Sequence, residues 1–289
     1  MEREQVEEEL RKYNWYHRIE VLPGLYTPSR LGKPRRLWGL ILEEMDRIEM
    51  SGLRVLDVGC RDGLFSLAAE RKGAASVVAI DNDLSLGAKE FLLPFLKSRV
   101  EMRQMNVMDL EAESSGVFDV ILCFGVLYHL RYPFAALKRM VGCLRDGGTL
   151  LLESGMLDDE RLASRELLYC PVEDSPYEAS SCTFFNRKAL QVTMHSFDCV
   201  LERSATLASG SPGRRYYPLL MMQRLVRRFR SLASLPPRTS RQVMRFRKKE
   251  GVFAGRASVY HGLQDYWDAT HTAHTNATYG KVPPRSQGP

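Results

Sequence analysis

Three polar side chains follow apolar runs in the first half of the chain, where strands of a parallel sheet would end. They are Asp57, Asp81 and Asn106. Asp57 can face an ammonium group, and Asp81 can accept hydrogen bonds from both hydroxyls of a ribose. Asn106 can bind an adenine amino group through its amide oxygen, while the backbone of Val107 reads the edge of the ring. Together they predict a pocket for a charged nucleoside.

The first of these residues opens the motif DVGCRDG, in which Gly59 and Gly63 enclose Cys60. Glycine has no Cβ, so this turn can bring the backbone close to a ligand. The spacing differs from the G-x-G-x-x-G pattern of nicotinamide enzymes. Asp81 could instead cap the next helix, and asparagine is common in turns, so both roles stay open for Asp81 and Asn106.

Two aromatic residues follow the most apolar run of the chain, which ends at Phe124 beside the expected ligand crevice. His129 is the first candidate for a general base, and the preceding Tyr128 either takes part or packs over the ligand. His129 could equally cap the following helix. His17 is the second candidate base, although it could be a surface residue of an N-terminal lid.

The elements that position these residues alternate between strand and helix patterns. We therefore predict an α/β fold: a Rossmann-like, doubly wound, mostly parallel seven-stranded sheet with helices on both faces. The predicted strands are 54–58, 76–80, 100–106, 118–124, 149–153, 199–205 and 255–261. The predicted helices are 2–12, 36–50, 64–72, 84–96, 133–144, 186–197 and 219–232.

Four regions follow from this alternation. We expect an N-terminal helical lid segment at 1–50, a ligand-binding core at 51–205, a basic insertion with the last strand at 206–262, and a flexible tail at 263–289. The 289 residues and the hydrophobic fraction of 44% suffice for a sizeable core.

The segment from Arg203 to Lys249 contains 13 Lys and Arg residues and no acid, although the net charge of the chain is only +6. Its arginines, Arg214 and Arg215 among them, are interleaved with aromatic residues, which suits an anionic acceptor or RNA. A helical cover over the active site with a solvated charged face would have the same composition.

The six cysteines form no C-x-x-C pair, so we expect reduced thiols and no metal site. The acidic start and the absence of a long apolar run predict a cytoplasmic protein without a membrane segment. The sequence leaves the oligomeric state open.

The motifs DVGCRDG, AIDND, FDVILCFGVLYHL and LRDGGTLLLE, in this order, resemble those of class I S-adenosylmethionine-dependent methyltransferases. Within that class, GVLYHLRYPFAALKRM, TFFNRKALQVTMHSF and WYHRIEVLPGLYTP resemble the tRNA wobble-uridine methyl- and carboxymethyltransferase-like group. The resemblance implies S-adenosylmethionine as cofactor, with Asp57, Gly59, Cys60, Gly63, Asp81, Asn82, Asn106, Val107 and Phe124 as its binding residues.

The chain departs from these families at informative places. Arg61 stands where glycine is usual, and Asn106 where an acid is usual. The basic segment that holds the extra carboxylate of carboxy-S-adenosylmethionine is missing, although Tyr128 and Arg256 fall where that group places a Tyr and an Arg for the same purpose. Ordinary methyl transfer is therefore favoured, with carboxy-S-adenosylmethionine as the alternative.

Three hypotheses remain from the sequence. The first is methyl transfer to a small molecule or glycan, with Tyr128, Arg256, Arg214 and Arg215 as acceptor-binding residues. The second is modification of tRNA. The third, of another class, is a catalytically silent adapter that keeps the fold and binds nucleic acid.

Overall fold

The computed structural model describes residues 1–29, 35–158, 163–172, 175, 177, 179–207 and 238–252. The strands are β1 (Glu20–Leu22), β2 (Leu25–Tyr26), β3 (Arg54–Val58), β4 (Ser76–Asp81), β5 (Glu101–Gln104), β6 (Phe118–Phe124), β7 (Leu144–Leu157), β8 (Leu168–Tyr169), β9 (Phe184–Phe185), β10 (Cys199–Leu207) and β11 (Thr239–Lys248). The α-helices are α1 (Arg3–Arg11), α2 (Arg35–Asp46), α3 (Leu64–Arg71), α4 (Leu93–Phe95), α5 (Ala112–Ser115), α6 (Pro133–Gly142) and α7 (Arg187–Ser196).

Seven of the strands form one sheet in the order β10-β11-β7-β6-β3-β4-β5. The pairs β3/β4, β4/β5, β3/β6 and β6/β7 are parallel, whereas β11 runs antiparallel to both of its neighbours. The predicted mostly parallel, seven-stranded Rossmann-like sheet is confirmed. The chain crosses from β3 outward to β4 and β5 and then back to β6, so the strand order reverses beside β3, where open α/β sheets bind ligands.

Alternating side chains of the central strands divide the interior into two cores. In β6, Val120 and Leu122 join the core that contains α1, α2 and α3, whereas Ile121 and Cys123 join the core beneath α6 and α7. A strand covered on both faces needs an almost continuous apolar sequence, which Phe118–Phe124 provides.

The first 29 residues pack on the first of these cores. Val6, Leu10, Trp15 and Ile19 are buried there, and the indole nitrogen of Trp15 donates to the carbonyl of Leu10 over 2.7 Å. The short hairpin of β1 and β2 follows. Burial of these four side chains fixes the N-terminal segment next to the glycine turn after β3, where Asp62 binds the backbone of Tyr16 and His17.

The last strand of the sheet differs from the prediction. We expected it at 255–261, which lies outside the described residues, but the strand between β10 and β7 is Thr239–Lys248. Within β11, Met244 and Phe246 are fully buried, whereas Arg245 and Arg247 between and beyond them are only partly buried. In the sequence, these arginines hide the alternation of buried and less buried residues that is typical of a strand. The predicted helix at 219–232 also falls outside the described residues.

The predicted helix at 84–96 is another difference. The chain there forms a π-helix over Ala88–Leu92, which continues into the short α4. The Asn186 cap of α7 agrees with the prediction, because its side chain accepts from the backbone N–H of Ala189 over 2.8 Å.

Glycine at position 59 is required by a close approach, which gives the first prediction. Gly59 has φ +78°, and a Cβ there would lie 2.2 Å from Cγ2 of Val126, a stiff branched side chain. Gly59→Ala should therefore lower the free energy of unfolding by roughly 2–5 kcal/mol, combining left-handed backbone strain and overpacking.

Gly52 offers a matched control, since it has φ +73° and a Cβ added there would have no atom within 4 Å. Gly52→Ala should show only the backbone cost, about 1–2 kcal/mol. Urea unfolding of both variants measures the difference. If both variants lose the same free energy of unfolding, the contact between the added methyl group and Val126 does not destabilise the protein.

Candidate functional site

A pocket of about 720 Å³ opens at the carboxyl ends of β3, β4 and β6. Its size is within the range of small-molecule sites. Its wall consists of Tyr16, His17, Val58, Gly59, Arg61, Phe65, Ile80, Asp81, Asn82, Asp83, Met105, Asn106, Val107, Phe124, Gly125, Val126, His129, Leu130 and Ser180. Six of the nine residues predicted to bind the cofactor are on this wall: Gly59, Asp81, Asn82, Asn106, Val107 and Phe124.

The turn after β3 forms one side of the pocket. The N–H groups of Gly59 and Cys60 both donate to the carbonyl of Ile80, over 2.8 and 3.2 Å. Arg61 has φ +48°, so the position where related motifs carry glycine keeps the left-handed backbone despite its side chain. Its backbone N–H donates to Oδ2 of Asp81 over 2.9 Å, which helps to hold this conformation.

Asp81 accepts two backbone hydrogen bonds at the tip of β4. Oδ2 accepts from Arg61, and Oδ1 accepts from the N–H of Asp83 over 2.9 Å. Each carboxylate oxygen has a second lone pair, so the group can also accept from a ligand. Asp81 therefore stabilises the turns around it and at the same time lines the pocket.

Asn106 caps a turn of 3₁₀-helix formed by Val107–Asp109. Its Oδ1 accepts from the backbone N–H of Met108 over 3.0 Å. The amide oxygen that we predicted to bind adenine thus accepts one hydrogen bond within the turn and keeps a second lone pair, and Asn106 lines the pocket. Its NH₂ group and the backbone of Val107 supply further polar atoms at this side of the pocket.

Asp57, Cys60 and Gly63 are not among the residues that line the pocket. Asp57 is 1% exposed and accepts from Oγ of Ser66 over 2.5 Å. Burial, with a smaller contribution from the nearby charge of Asp81, raises the pKa of Asp57 to about 7. The thiol of Cys60 is buried, and its pKa is raised mainly by that burial. Asp57, Cys60 and Gly63 therefore stabilise the turn without lining the pocket.

His17 lies on the pocket wall although it is distant in sequence from the strand motifs. It is 4% exposed, and its ring packs against Tyr16, Trp38 and Phe65 with centroid distances of 4.9, 5.1 and 5.6 Å. Asp62 holds this segment, because its Oδ2 accepts the backbone N–H groups of Tyr16 and His17 over 2.7 and 2.6 Å. The prediction of a surface histidine on a lid does not fit this burial.

The segment after β6 forms the opposite wall. Phe124 packs edge-on against Phe65 at 4.8 Å, and Gly125 and Val126 follow it. His129 is the last residue of a 3₁₀ turn over Leu127–His129, and its Nδ1 lies 3.2 Å from the carbonyl oxygen of Ser180. Both candidate bases, His17 and His129, therefore line the same pocket.

Tyr128 belongs to a neighbouring polar cluster, which we name the arginine cluster: Tyr128, Glu153, Tyr177 and Arg241. Arg241 binds Glu153 through Nε and the second guanidinium nitrogen, over 2.5 and 2.6 Å. Its remaining nitrogen donates to the hydroxyls of Tyr128 and Tyr177, over 3.2 and 2.5 Å. Burial disfavours the charge of Arg241, but Glu153 outweighs it and raises the pKa of the guanidinium.

The arginine cluster adjoins the pocket at Gly125. The backbone N–H of Gly125 donates to Oε2 of Glu153 over 3.1 Å, and a Cβ added at Gly125 would lie 3.8 Å from Arg241. The predicted partner of Tyr128, Arg256, lies outside the described residues, as do Arg214 and Arg215. Among the described residues, Arg241 is the arginine beside Tyr128.

Sequence reasoning missed several pocket and cluster residues. Tyr16 and Ser180 carry no strand-end signal, Asp62 lies within DVGCRDG but had no role assigned to it, and Glu153 appeared only as the last letter of a motif. Arg241 was counted as one charge of a basic segment. An acid at the carboxyl end of a fully buried strand, as Glu153 is, needs a cation, and this is the one signal that could have indicated a buried arginine.

Within the described ranges, no group of three or more His, Cys, Asp and Glu residues is arranged to hold a metal ion. The helices in those same ranges are all too short or too polar to cross a membrane.

Comparison with known proteins gives a family. A family profile described as "Methyltransferase domain" matches residues 31–204, which is more than half of the chain. This range contains β3 to β9, and it includes every strand that borders the pocket.

Curated relatives fall into two groups. A ubiquinone biosynthesis O-methyltransferase of Xanthomonas campestris pv. campestris is 42% identical over 110 residues, which cover 37% of this chain and 45% of the relative. A tRNA U34 carboxymethyltransferase of Methylococcus capsulatus is 38% identical over 131 residues, covering 44% of this chain and 38% of the relative. The matches thus span less than half the length of these relatives.

A solved structure shares the fold at low identity. The N-terminal domain of EvdMO1, solved in the presence of SAH and D-fucose, superposes with a TM-score of 0.57 at 18% identity, covering 86% of this chain and 98% of that domain. This likeness supports the Rossmann-like architecture.

The buried acid Asp57 gives the second prediction. Its pKa of about 7 in the folded protein exceeds the ordinary 3.8, so the folded protein binds this proton more tightly than the unfolded chain. The free energy of unfolding should fall as the pH rises from about 4 to about 7 and then stay level with respect to this group. Asp57→Asn removes this loss, so the variant should gain stability relative to the wild type over that pH range, by at most about 4 kcal/mol.

Urea unfolding of ligand-free protein across this pH range measures the effect. Asp46→Asn is the control, because the Asp46 side chain is 73% exposed. Parallel curves for the wild type and Asp57→Asn would contradict the raised pKa.

Proposed function

The chain belongs to the methyltransferase-domain family, and from this premise we propose that it transfers a methyl group from S-adenosylmethionine to an acceptor. The observation that carries the proposal is the pocket at the ends of β3, β4 and β6, where the Gly59 turn faces the carboxylate of Asp81.

The residues present fit the cofactor. Gly59 is packed against Val126 and has no side chain, so it presents only backbone atoms on the pocket wall, where they can lie against a ligand. Asp81 has lone pairs left for ribose hydroxyls, and Asn82 lies beside it. A cation bound at the Gly59 turn would favour ionised Asp57 behind the wall, which offsets the cost of burying that charge.

We assign the remaining cofactor contacts by position on the wall. Val107 and the NH₂ group of Asn106 lie where a purine would be read, and Phe124 supplies an apolar surface at the end of β6. Cys60 and Gly63 contribute by shaping the turn.

S-adenosylmethionine, when bound, supplies a methyl group on a positively charged sulfur that leaves readily. What the chain must add is alignment, because positioning two reactants can supply about 7–11 kcal/mol in favourable cases. Tyr16, His17, His129 and Ser180 also line the pocket, and they come from segments other than those that carry Asp81 and Asn106. We assign acceptor binding to these four residues.

A small molecule or glycan is the acceptor class that we favour. Tyr16, Phe65 and Phe124 place aromatic rings on the pocket wall, which suits a ring or an apolar group. An anionic acceptor would have to compete with Asp83 for Arg61 and with Glu153 for Arg241.

A second donor is supported by one observation. Arg241 and Tyr128 are joined by a hydrogen bond next to Gly125, which is the type of pair that would receive the extra carboxylate of carboxy-S-adenosylmethionine. Both would have to turn toward the pocket, and Glu153 would have to share Arg241.

A tRNA acceptor has support from the carboxymethyltransferase relatives and from the basic composition of 203–249. Within β10 and β11, however, Arg245 and Arg247 each pair with Glu202, and Arg203 pairs with Glu44. Besides the exposed Arg238 and Lys249, the charges of this segment that could bind phosphate fall largely in 208–237, outside the described residues.

Calorimetry with S-adenosylmethionine tests the proposal. The wild type should bind, and Asp81→Ala should weaken binding about tenfold to a hundredfold for each charge-assisted hydrogen bond lost. Asp46→Asn, on the exposed side of α2, should bind like the wild type.

A catalytically silent adapter would show no binding in any of these titrations, and that result would remove the proposed function. Tighter binding of carboxy-S-adenosylmethionine in a parallel titration would favour the second donor. Release of demethylated cofactor in the presence of metabolite pools would then identify the acceptor.

The tRNA alternative makes a separate prediction. If 208–237 contacts phosphates, the affinity for bulk tRNA should fall steeply with salt, with a slope that counts the contacts. A fluorescence-anisotropy titration at several salt concentrations measures it. No association in dilute buffer would remove tRNA as an acceptor.

A further inference from the structure

A carboxylate and an imidazole meet at the pocket wall without an assigned role. Nδ1 of His17 lies 3.6 Å from Oδ2 of Asp62, and the two side chains are 5% and 0% exposed. Nδ1 is buried and has no partner within hydrogen-bond distance among the described residues. His17 is a lining residue of the pocket, and of its two ring nitrogens only Nδ1 is among the buried atoms without a partner, so Nε2 is the nitrogen left for a ligand.

The surroundings of this pair keep the carboxylate charged. Burial alone would raise the pKa of Asp62, but the side chain and backbone N–H of His17, together with Ser85, outweigh it and lower the pKa. The other groups against the imidazole are the rings of Tyr16, Trp38 and Phe65, so Asp62 is the charged group that faces it among the described residues.

We propose that His17 is the general base of the methyl transfer and that Asp62 is its positioning residue. The proposal rests on the proposed function, and it adds the substrate class: an acceptor whose attacking oxygen or nitrogen carries a proton, such as an alcohol, a phenol or an N–H group. Asp62 holds the proton of His17 on Nδ1, which leaves the lone pair of Nε2 toward the acceptor.

The reaction balances without a further reactant. The acceptor oxygen or nitrogen forms a bond to the methyl carbon as the carbon–sulfur bond breaks, and the electron pair of that broken bond goes to the sulfur. The acceptor proton moves to Nε2 of His17. Asp62 stabilises the imidazolium that results, and the proton leaves to water after product release.

Geometry favours His17 as the base because a buried carboxylate faces its ring. Asp62 brings a full negative charge to this imidazole in a site with little water, where a charge interaction is stronger. The contact printed for His129 is between its Nδ1 and the carbonyl oxygen of Ser180, at 3.2 Å. The distance of 3.6 Å between Nδ1 of His17 and Asp62 is longer than a hydrogen bond, and such contacts often shorten when the substrate binds.

The tautomer of His17 is the first test, and it needs no acceptor. Long-range ¹H–¹⁵N NMR on the full chain distinguishes imidazoles protonated at Nδ1 from those protonated at Nε2, and His17→Gln identifies the signal. We expect the Nδ1–H form in the wild type. A neutral ring protonated at Nε2 would overturn the proposal, since that nitrogen could not accept a proton.

The reactivity of His17 is the second test. Diethyl pyrocarbonate modifies unprotonated imidazole nitrogens, and peptide mass spectrometry gives the rate at each histidine. Asp62→Asn keeps an oxygen that can accept the N–H groups of Tyr16 and His17 but removes the charge. In mildly alkaline buffer it should slow modification of His17 about tenfold, as expected for a weaker base.

His195 is the internal control, since it is exposed on α7 and its rate should not change. Equal rates at His17 in the wild type and Asp62→Asn would reduce Asp62 to an anchor of the N-terminal segment and overturn the proposal. Calorimetry on the wild type separates this from failure of the proposed function. A wild type that binds S-adenosylmethionine but shows no effect of Asp62→Asn on His17 refutes the base alone, whereas a wild type that binds none refutes the methyl transfer itself.

Discussion

The close approach of two backbone segments at the centre of the sheet is the constraint on which the site depends. Gly59, after β3, lies against Val126, after β6, with no room for a Cβ between them. Neighbouring parallel strands end side by side, so the loops that follow them compete for the same space. A left-handed turn after β3 resolves this competition and leaves the pocket beside it. Arg61 keeps the turn at some conformational cost because Asp81 accepts its backbone N–H.

Buried acids around this turn differ in how their charge is balanced. Glu153 is fully buried and is paired with Arg241 in bidentate geometry, whereas Asp62 relies on backbone N–H groups and His17. Asp57 accepts from Ser66, a neutral partner, and its raised pKa reflects the burial that this contact does not offset. Removing a partner from a buried charge is costly, so these three acids also fix the positions of the segments that supply their partners.

The side of the pocket that we assign to the donor was largely readable from the sequence, because short segments carry it. A glycine turn, an acid after the next strand and an amide after the third are local patterns, and they placed Gly59, Asp81 and Asn106 on one wall. The role of Asn106 as a cap was less evident, since a turn residue and a ligand contact have the same signature. The strand β11 was misassigned because its arginines lie on alternate positions and dominate the composition of the segment.

The rest of the site could not be read in the same way, because contacts between distant segments build it. Asp62 reaches His17 across 45 positions, and Glu153 reaches Arg241 across 88. Neither contact leaves a periodic or spaced pattern in one segment, and each requires the sheet order to be known first. This division has a physical origin: the Gly59 turn, Asp81 and Asn106 follow strands whose positions are dictated by the fold, whereas His17 and Arg241 belong to the N-terminal segment and to β11. Under the proposed function, a change in the N-terminal segment can therefore alter the acceptor while the turn at Gly59 and the carboxylate of Asp81 stay as they are.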